Sequence, residues 1–261
     1  MVVADNDHLE SAKQLVLEFA ARSAIEITYC AEPIQNFALV RNRVLSRARG
    51  EFAAFIDDDE YPVKEWLSHL LNACEEHTVD GALGPVLPQF DQNPPVWIRK
   101  GGFYDRPRHA TGFRLRWNEC RTGNVLFRRS VLADLEGPFR AEFKTGGEDQ
   151  DFFRRAMNRG RVFIWCDEAV VHEVVPPARW KRSFMLRRAL LRGRDSTKHR
   201  SGRVLNLAKS MVAIPLYVIA LPFLLAAGHH WFMKYLVKLC DHLGRLLAYL
   251  KLNPVRGRDT E

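Results

Sequence analysis

The chain has 261 residues, is 47% hydrophobic and carries a net charge of +8, enough for one catalytic domain with a true core and a modest appendage, which excludes a disordered polyelectrolyte. Its five cysteines (Cys30, Cys74, Cys120, Cys166, Cys240) are scattered with no CxxC pair, which argues against a zinc site or a disulfide framework and fits a reducing compartment. The opening residues show no secretory-leader pattern.

In chain order, Met1-Val2-Val3-Ala4 reads as a buried strand delivering Asp5-Asn6-Asp7 at its carboxyl end. Leu9, Ala12, Leu15, Val16 and Phe19 then fall on one helical face. Ile25, Ile27 and Tyr29 alternate as in a strand, and Phe37, Val40, Val44 and Leu45 mark a second helix flanked by Arg41 and Arg43. Phe52-Ala53-Ala54-Phe55-Ile56 is a continuous apolar run, expected to be a strand covered on both faces, and it stops at Asp57-Asp58-Asp59-Glu60. Pro62 is expected to open a helix whose apolar side is Val63, Trp66, Leu67, Leu70, Leu71 and Cys74.

This alternation predicts an α/β domain with a mostly parallel sheet and helices on both faces. Ligands of such sheets bind beyond the carboxyl ends of the strands, so Asp5 and the Asp57–Asp59 group are expected to face one crevice. From Gly84 to Arg121, Pro, Gly and aromatic residues predict loops and short strands on a binding face. Val125-Leu126-Phe127 is a strand, Gly146-Gly147-Glu148-Asp149 leads into a helix carrying Phe152, Phe153, Ala156 and Met157, and Val162 to Trp165 is a further strand with His172 shortly after.

The C-terminal part has a different texture. Between Arg179 and Arg203 every charged residue except Asp195 is basic, which calls for a polyanion: nucleic acid or an anionic lipid surface. Met211 to Gly228 is apolar, broken by Pro215 and Pro222, and close to the shortest length that spans a bilayer. An amphipathic helix follows from His229 to Leu250. Adjacency to the apolar segment and the scarcity of interleaved aromatics favour an anionic membrane surface and no nucleic acid. Spanning, re-entrant and interfacial arrangements stay open, as does a hairpin packed on the domain. The expected organisation is a domain at residues 1–178, a basic juxtamembrane segment at 179–203 and a membrane-associated helical tail at 204–261.

Among residues able to do chemistry, three successive aspartates at a strand end repel one another unless a cation neutralises them, and hard carboxylate oxygens suit Mg²⁺ or Mn²⁺. Asp57 and Asp59, spaced D-x-D, can reach a metal and its diphosphate; a solvated turn capping the next helix is the other reading. Glu148 and Asp149 either complement a helix N-terminus or present a general base. His172 and Arg41, each taken alone, read as structural residues.

Five blocks in order resemble the family 2 glycosyltransferases, inverting enzymes of the GT-A fold: Val2 to Asp7, Leu39-Val40-Arg41-Asn42-Arg43, Phe55-Ile56-Asp57-Asp58-Asp59-Glu60, Thr122-Gly123-Asn124 with Phe127-Arg128-Arg129, and Gly147-Glu148-Asp149 with Asp151-Phe152. The resemblance covers roughly residues 1 to 175. It implies that Asp57 and Asp59 hold the metal and diphosphate, with His172 as an extra metal or phosphate contact. It further implies that Asp5, Arg41 and Asp58 lie at the donor, Asp5 on its base. Asp149 would deprotonate the acceptor hydroxyl and Glu148 would help place the acceptor. The implied partners are a nucleotide-diphosphate sugar, with UDP the expected nucleotide, and a saccharide or lipid-linked acceptor in exopolysaccharide or cell-envelope synthesis at the cytoplasmic face of the inner membrane. The family's first strand and helix have no counterpart ahead of Val2, so a weakened, membrane-tethered scaffold is the alternative of a different class; a nucleotidyltransferase is a second enzyme reading. Processive relatives carry Q-x-x-R-W; here Arg179-Trp180 is preceded by Pro176 at the Gln position, which points to single-sugar transfer.

Overall fold

Alternating apolar residues place the central strands. The computed structural model describes residues 1–133, 135–143, 146–198 and 203–252. Strand β1 (Val2–Asp5) pairs in parallel with β2 (Thr28–Ala31), with α1 (Lys13–Ala20) between them in sequence. Helix α2 (Phe37–Arg47) leads to β3 (Phe52–Ile56), β4 (Glu60–Pro62), α3 (Trp66–Glu76), β5 (Gly81–Leu83), β6 (Val86–Gln89) and α4 (Val96–Gly101). After a long connection come β7 (Asn124–Arg128), α5 (Ser130–Ala133), α6 (Glu148–Asn158), β8 (Phe163–Trp165), β9 (Val171–Val174), α7 (Arg182–Asp195), α8 (Arg203–Ala227) and α9 (His229–Tyr249).

The main sheet has the order β3-β7-β5-β8. Its two faces follow the two-residue strand period. Val125 and Phe127 of β7, Phe163 and Trp165 of β8 and Leu83 of β5 join one core with Phe139, Phe152 and Phe153. Leu126, Ile164 and Ala82 join the opposite core with Leu70, Ala73 and Cys74 of α3. Each fully buried Phe is worth about 1.5–3 kcal/mol of transfer free energy, so the aromatic cluster under α6 is the principal anchor of that helix. A three-stranded sheet, ordered β4-β9-β6, completes the strands.

The α/β class matches expectation, with four differences in detail. The main sheet is mixed: β7 runs antiparallel to β3 and to β5, while β5 and β8 are parallel. β7 is reached through the long excursion after β6 instead of a right-handed crossover, and such a return imposes no parallel direction. β3 is an edge strand of that sheet: Ala53 and Phe55 face the core, while on the other face Ala54 and Ile56 are exposed and only Phe52 packs against the second core. The α3 helix opens at Trp66, not Pro62, because the Val63 N–H donates to the Val170 carbonyl at 3.0 Å and keeps the chain extended through Pro62. Finally, α1 buries none of its residues; Leu15 and Phe19 are 69% and 56% exposed.

By contact density the chain forms two units, Met1–Val86 with Pro107–His172, and Leu87–Arg106 with Glu173–Glu261. The second thus takes in residues 87–106 together with everything after His172; of the tail, residues 253–261 lie outside the described part. In it α9 packs on α7, α8 and α4. Two glycines permit the α7–α9 approach: a Cβ at Gly193 would lie 2.0 Å from the Asp241 carbonyl oxygen, and one at Gly244 would lie 2.1 Å from that of Leu190. Arg192 adds a bond from Nε to the Asp241 carboxylate at 2.8 Å.

Candidate active site

The candidate chemistry of the first unit gathers where β3, β7, α2 and α6 end or begin. β3 runs out into a tight turn, Asp57 to Glu60, closed by the Glu60 N–H on the Asp57 carbonyl at 3.2 Å. Glu60 also accepts from the Asp57 N–H at 3.2 Å through its own carboxylate, so this side chain is occupied in shaping the turn. The Asp57 side chain is 48% exposed, and Asp58 is exposed. Across the ladder Ile56 stands opposite Asn124, which brings Gly123 against the acids. A Cβ on Gly123 would lie 2.9 Å from Glu60 Oε1 and 3.1 Å from Asp57 Oδ2. Only a glycine leaves that wall of the turn open.

Arg41 joins the turn to α6. It is four residues into α2, whose start is fixed by the Asn36 side chain accepting from the Ala38 and Leu39 N–H groups. Its guanidinium donates to Glu148 and lies 3.8 Å from Asp57 Oδ1, with the side chain 17% exposed. The rings of Phe37 and Phe139 flank it at 5.9 Å each, a favourable setting for a guanidinium. The neighbouring Asn42 clamps Phe139, donating to its carbonyl at 2.7 Å and accepting from its N–H at 3.0 Å.

Glu148 and Asp149 begin α6, whose N-cap Gly147 has φ of 97°, a left-handed conformation suited to glycine. The pair sits in the first turn of α6, where acids complement the helix dipole, and the two carboxylates are held in different environments. Glu148 is 4% exposed. Burial pushes its carboxyl above the ordinary range, opposed by Arg41 and reinforced by the negative charge of Asp149. Its Oε2 is buried without a hydrogen-bond partner. Asp149 is half-buried and accepts from the Gln150 N–H at 2.7 Å. Asp151 is fully buried and fixes the helix, meeting Arg154 at 2.9 Å, Arg155 at 2.7 Å and Arg140 at 3.7 Å.

Of the remaining expected members, His172 lies beside the turn, because its strand β9 pairs with β4, which follows Asp59 directly. Asp5 ends a strand of a different sheet from Asp57, and its carboxylate is engaged with the protein. It accepts from the Asp7 N–H at 2.9 Å, the Ala12 N–H at 2.9 Å and the Tyr29 hydroxyl at 3.2 Å. His172, on β9, stacks on Tyr61 at 5.3 Å, and among the described residues no three His, Cys, Asp or Glu side chains are arranged to hold a metal. The trio Asp57, Asp59 and His172 is therefore not assembled. The two aspartates on the turn still offer the hard oxygen donors that Mg²⁺ or Mn²⁺ favours.

The sequence reading missed the polar supports. Trp66 donates from Nε1 to Asn124 at 2.8 Å, and Asn124 in turn donates to the Pro85 and Ala169 carbonyls at 3.0 and 2.7 Å. Asn6 holds the Glu32 and Ile34 carbonyls, both at 2.7 Å. An Asn at a strand end was the available signal, but its partners are remote in sequence.

Comparison with known proteins gives a consistent picture. The family model for glycosyl transferase family 2 matches residues 1–135. The succinoglycan biosynthesis protein ExoM of Rhizobium meliloti (strain 1021) is 35% identical over 198 residues, 74% of this chain and 62% of that protein. The poly(ribitol-phosphate) beta-N-acetylglucosaminyltransferase TarS of Staphylococcus aureus (strain Mu50) is 25% identical over 170 residues, 65% of this chain and 29% of that one. The chain thus spans less than two thirds of the length of either relative. A crystal structure of residues 1–349 of S. aureus TarS with UDP has a TM-score of 0.49 at 22% identity, covering 71% of this chain and 53% of that one.

Proposed function

The chain belongs to glycosyl transferase family 2, and from that premise we propose that it transfers a single sugar, with inversion, from a nucleotide-diphosphate donor to a saccharide or lipid-linked acceptor. The observation that carries this is Arg41, which contacts Asp57 of the turn and Glu148 at the head of α6. It holds a donor-side acid and an acceptor-side acid in one arrangement. The kinship to ExoM, a protein of succinoglycan biosynthesis, supports a place in polysaccharide assembly.

In this reading Asp149 takes the proton of the acceptor hydroxyl as its oxygen bonds to the anomeric carbon. The bond from that carbon to the diphosphate breaks on the opposite face, which inverts the centre. Glu148, fixed by Arg41 at the head of α6, helps place the acceptor. Asp57 and Asp59 would hold Mg²⁺ or Mn²⁺, with Asp58 beside the donor. The cation, when bound, neutralises charge on the leaving diphosphate. Gly123 keeps that side of the turn clear. The protein works at the cytoplasmic face of the inner membrane, where nucleotide sugars are available, and the basic stretch meets anionic lipid.

Calorimetric titration with UDP, with and without Mn²⁺, tests the donor site. The expected result is metal-dependent binding that disappears in Asp59→Ala. Equal binding by parent and variant would remove the D-x-D assignment.

A further inference from the structure

Helix α8 is long and apolar enough to cross a bilayer: Leu205–Ala227 contains an 18-residue stretch of mean hydropathy 2.2 and extends about 35 Å at 1.5 Å per residue. Its packing argues against a crossing. The chain reverses at Gly228, whose φ is 145°, and α9 runs back along α8. The contact persists far from the reversal: Tyr217 meets Tyr235 at 5.7 Å, Ser210 Oγ lies 3.0 Å from His242 Nδ1, and Arg245 donates to Ser210 at 3.1 Å. Any depth reached by the middle of α8 is therefore reached by the stretch of α9 that carries Lys234, Lys238, Asp241 and Arg245.

Helix α9 is not free to follow α8 into hydrocarbon. It is seated against α7 through Gly193 and Gly244, and Asp241 is held by Arg192 of that basic helix. At its start His229 meets Trp97 of α4 at 5.7 Å. The opposite side of α8 has no covering: Met211, Val212, Leu216, Ile219 and Phe223 are between 58% and 73% exposed, a contiguous apolar face of the kind that marks an interaction site. Pro215 and Pro222, also exposed, interrupt the helix hydrogen bonds. The carbonyls so released find water at a membrane interface but no partner in lipid-facing hydrocarbon.

Resting on the membrane-associated reading given above, we propose that the α8–α9 hairpin is a one-sided anchor. α8 lies in the plane of one leaflet with its outer face among the acyl chains. α9 and the arginines of α7 stay on the aqueous side against anionic headgroups, and both ends of α8 face the same compartment.

The test combines topology with binding. Ala226→Cys, next to the reversal, is expressed in a bacterial host and treated with a membrane-impermeant maleimide; the five native cysteines are buried, and the parent chain supplies the background. Labelling is expected in inverted inner-membrane vesicles and absent in spheroplasts. Labelling in spheroplasts would show a crossing, and protection on both sides would show deep insertion; either overturns the one-sided anchor while leaving membrane association intact. In flotation with vesicles of phosphatidylglycerol and phosphatidylethanolamine, the parent is expected to float and the double variant Ile219→Asp, Phe223→Asp to bind at least about tenfold more weakly, with an unchanged thermal unfolding midpoint. A parent that stays in the soluble fraction, as a monomer or as a dimer closed over this face, would overturn the membrane reading itself.

Discussion

Arg41 shows what a single side chain decides. Its partner Glu148 is almost wholly buried, and removing one member of a buried pair costs about 3–5 kcal/mol, because the remaining charge loses its compensation. Arg41→Ala is therefore expected to lower the unfolding free energy measured by urea denaturation by an amount in that range, and Arg41→Lys to recover part of it. A loss under about 1 kcal/mol would mean that Glu148 is carried protonated without help, as its upward pKa shift would then allow. Asp149 differs: it is half-buried, and the role proposed for it is chemical. Asp149→Asn is expected to reduce transfer by about 10²-fold or more while UDP binding stays at the parent level; equal turnover in both proteins would exclude Asp149 as the base.

At the level of elements, the junctions between strands and turns govern the site. β7 begins at Asn124, so Gly123 is set beside the acids by the β3–β7 register. Gly123→Ala sets a methyl group against the Glu60 and Asp57 carboxylates, whose flexible ends must move aside. The expected outcome is metal-dependent UDP binding weakened about tenfold by calorimetry; unchanged affinity would place the diphosphate away from this turn. A second junction joins the loop before Phe113 to the segment after β8, through Arg108 and Asp167, whose Nη2 and carboxylate lie 2.8 Å apart. The Arg108 hydrogen bond holds the Asp167 carboxyl below its ordinary 3.8. Its contribution is complete above pH 3.8 and is lost as the pH falls through the depressed folded value. For so exposed a pair the contribution is about 0–1 kcal/mol. Asp167→Asn should unfold slightly earlier than the parent at pH 7, with the gap closing below pH 3.8. A gap that widens in acid would contradict the pairing.

For the whole molecule, the proposed chemistry and the proposed membrane attachment fall in different units. Asp57, Asp59, Arg41, Gly123, Glu148 and Asp149 all belong to the first unit, while α7, α8 and α9 belong to the second. The second also takes in residues 87–106, part of the Gly84–Arg121 stretch expected from its Pro, Gly and aromatic content to serve a binding face. There Tyr104 donates to the Arg179 carbonyl at 2.7 Å, and Arg106 and Arg179 both meet Glu173. Part of the basic stretch is thus tied into packing, and arginine counts alone overstate what is available to lipid.

Much of this was legible in the chain itself. The strand runs ending in acids, the paired glycines before α6 and the apolar stretch after the basic segment follow from local periodicity, and a strand or helix expresses its own period wherever it sits. The ordered blocks around Arg41, Asp57, Gly123 and Asp149 likewise carried the family. Tertiary structure alone decided the antiparallel course of β7, the sequestering of Asp5 by Tyr29 and backbone amides, the stacking of His172 on Tyr61, and the pairing of α8 with a charged α9. The pairs Asp5–Tyr29, His172–Tyr61 and Ser210–His242 each join residues far apart in the chain. A carboxylate at a strand end or an apolar helix has the same local signature whether its polar or apolar face meets protein, ligand or lipid, and only long-range packing settles which.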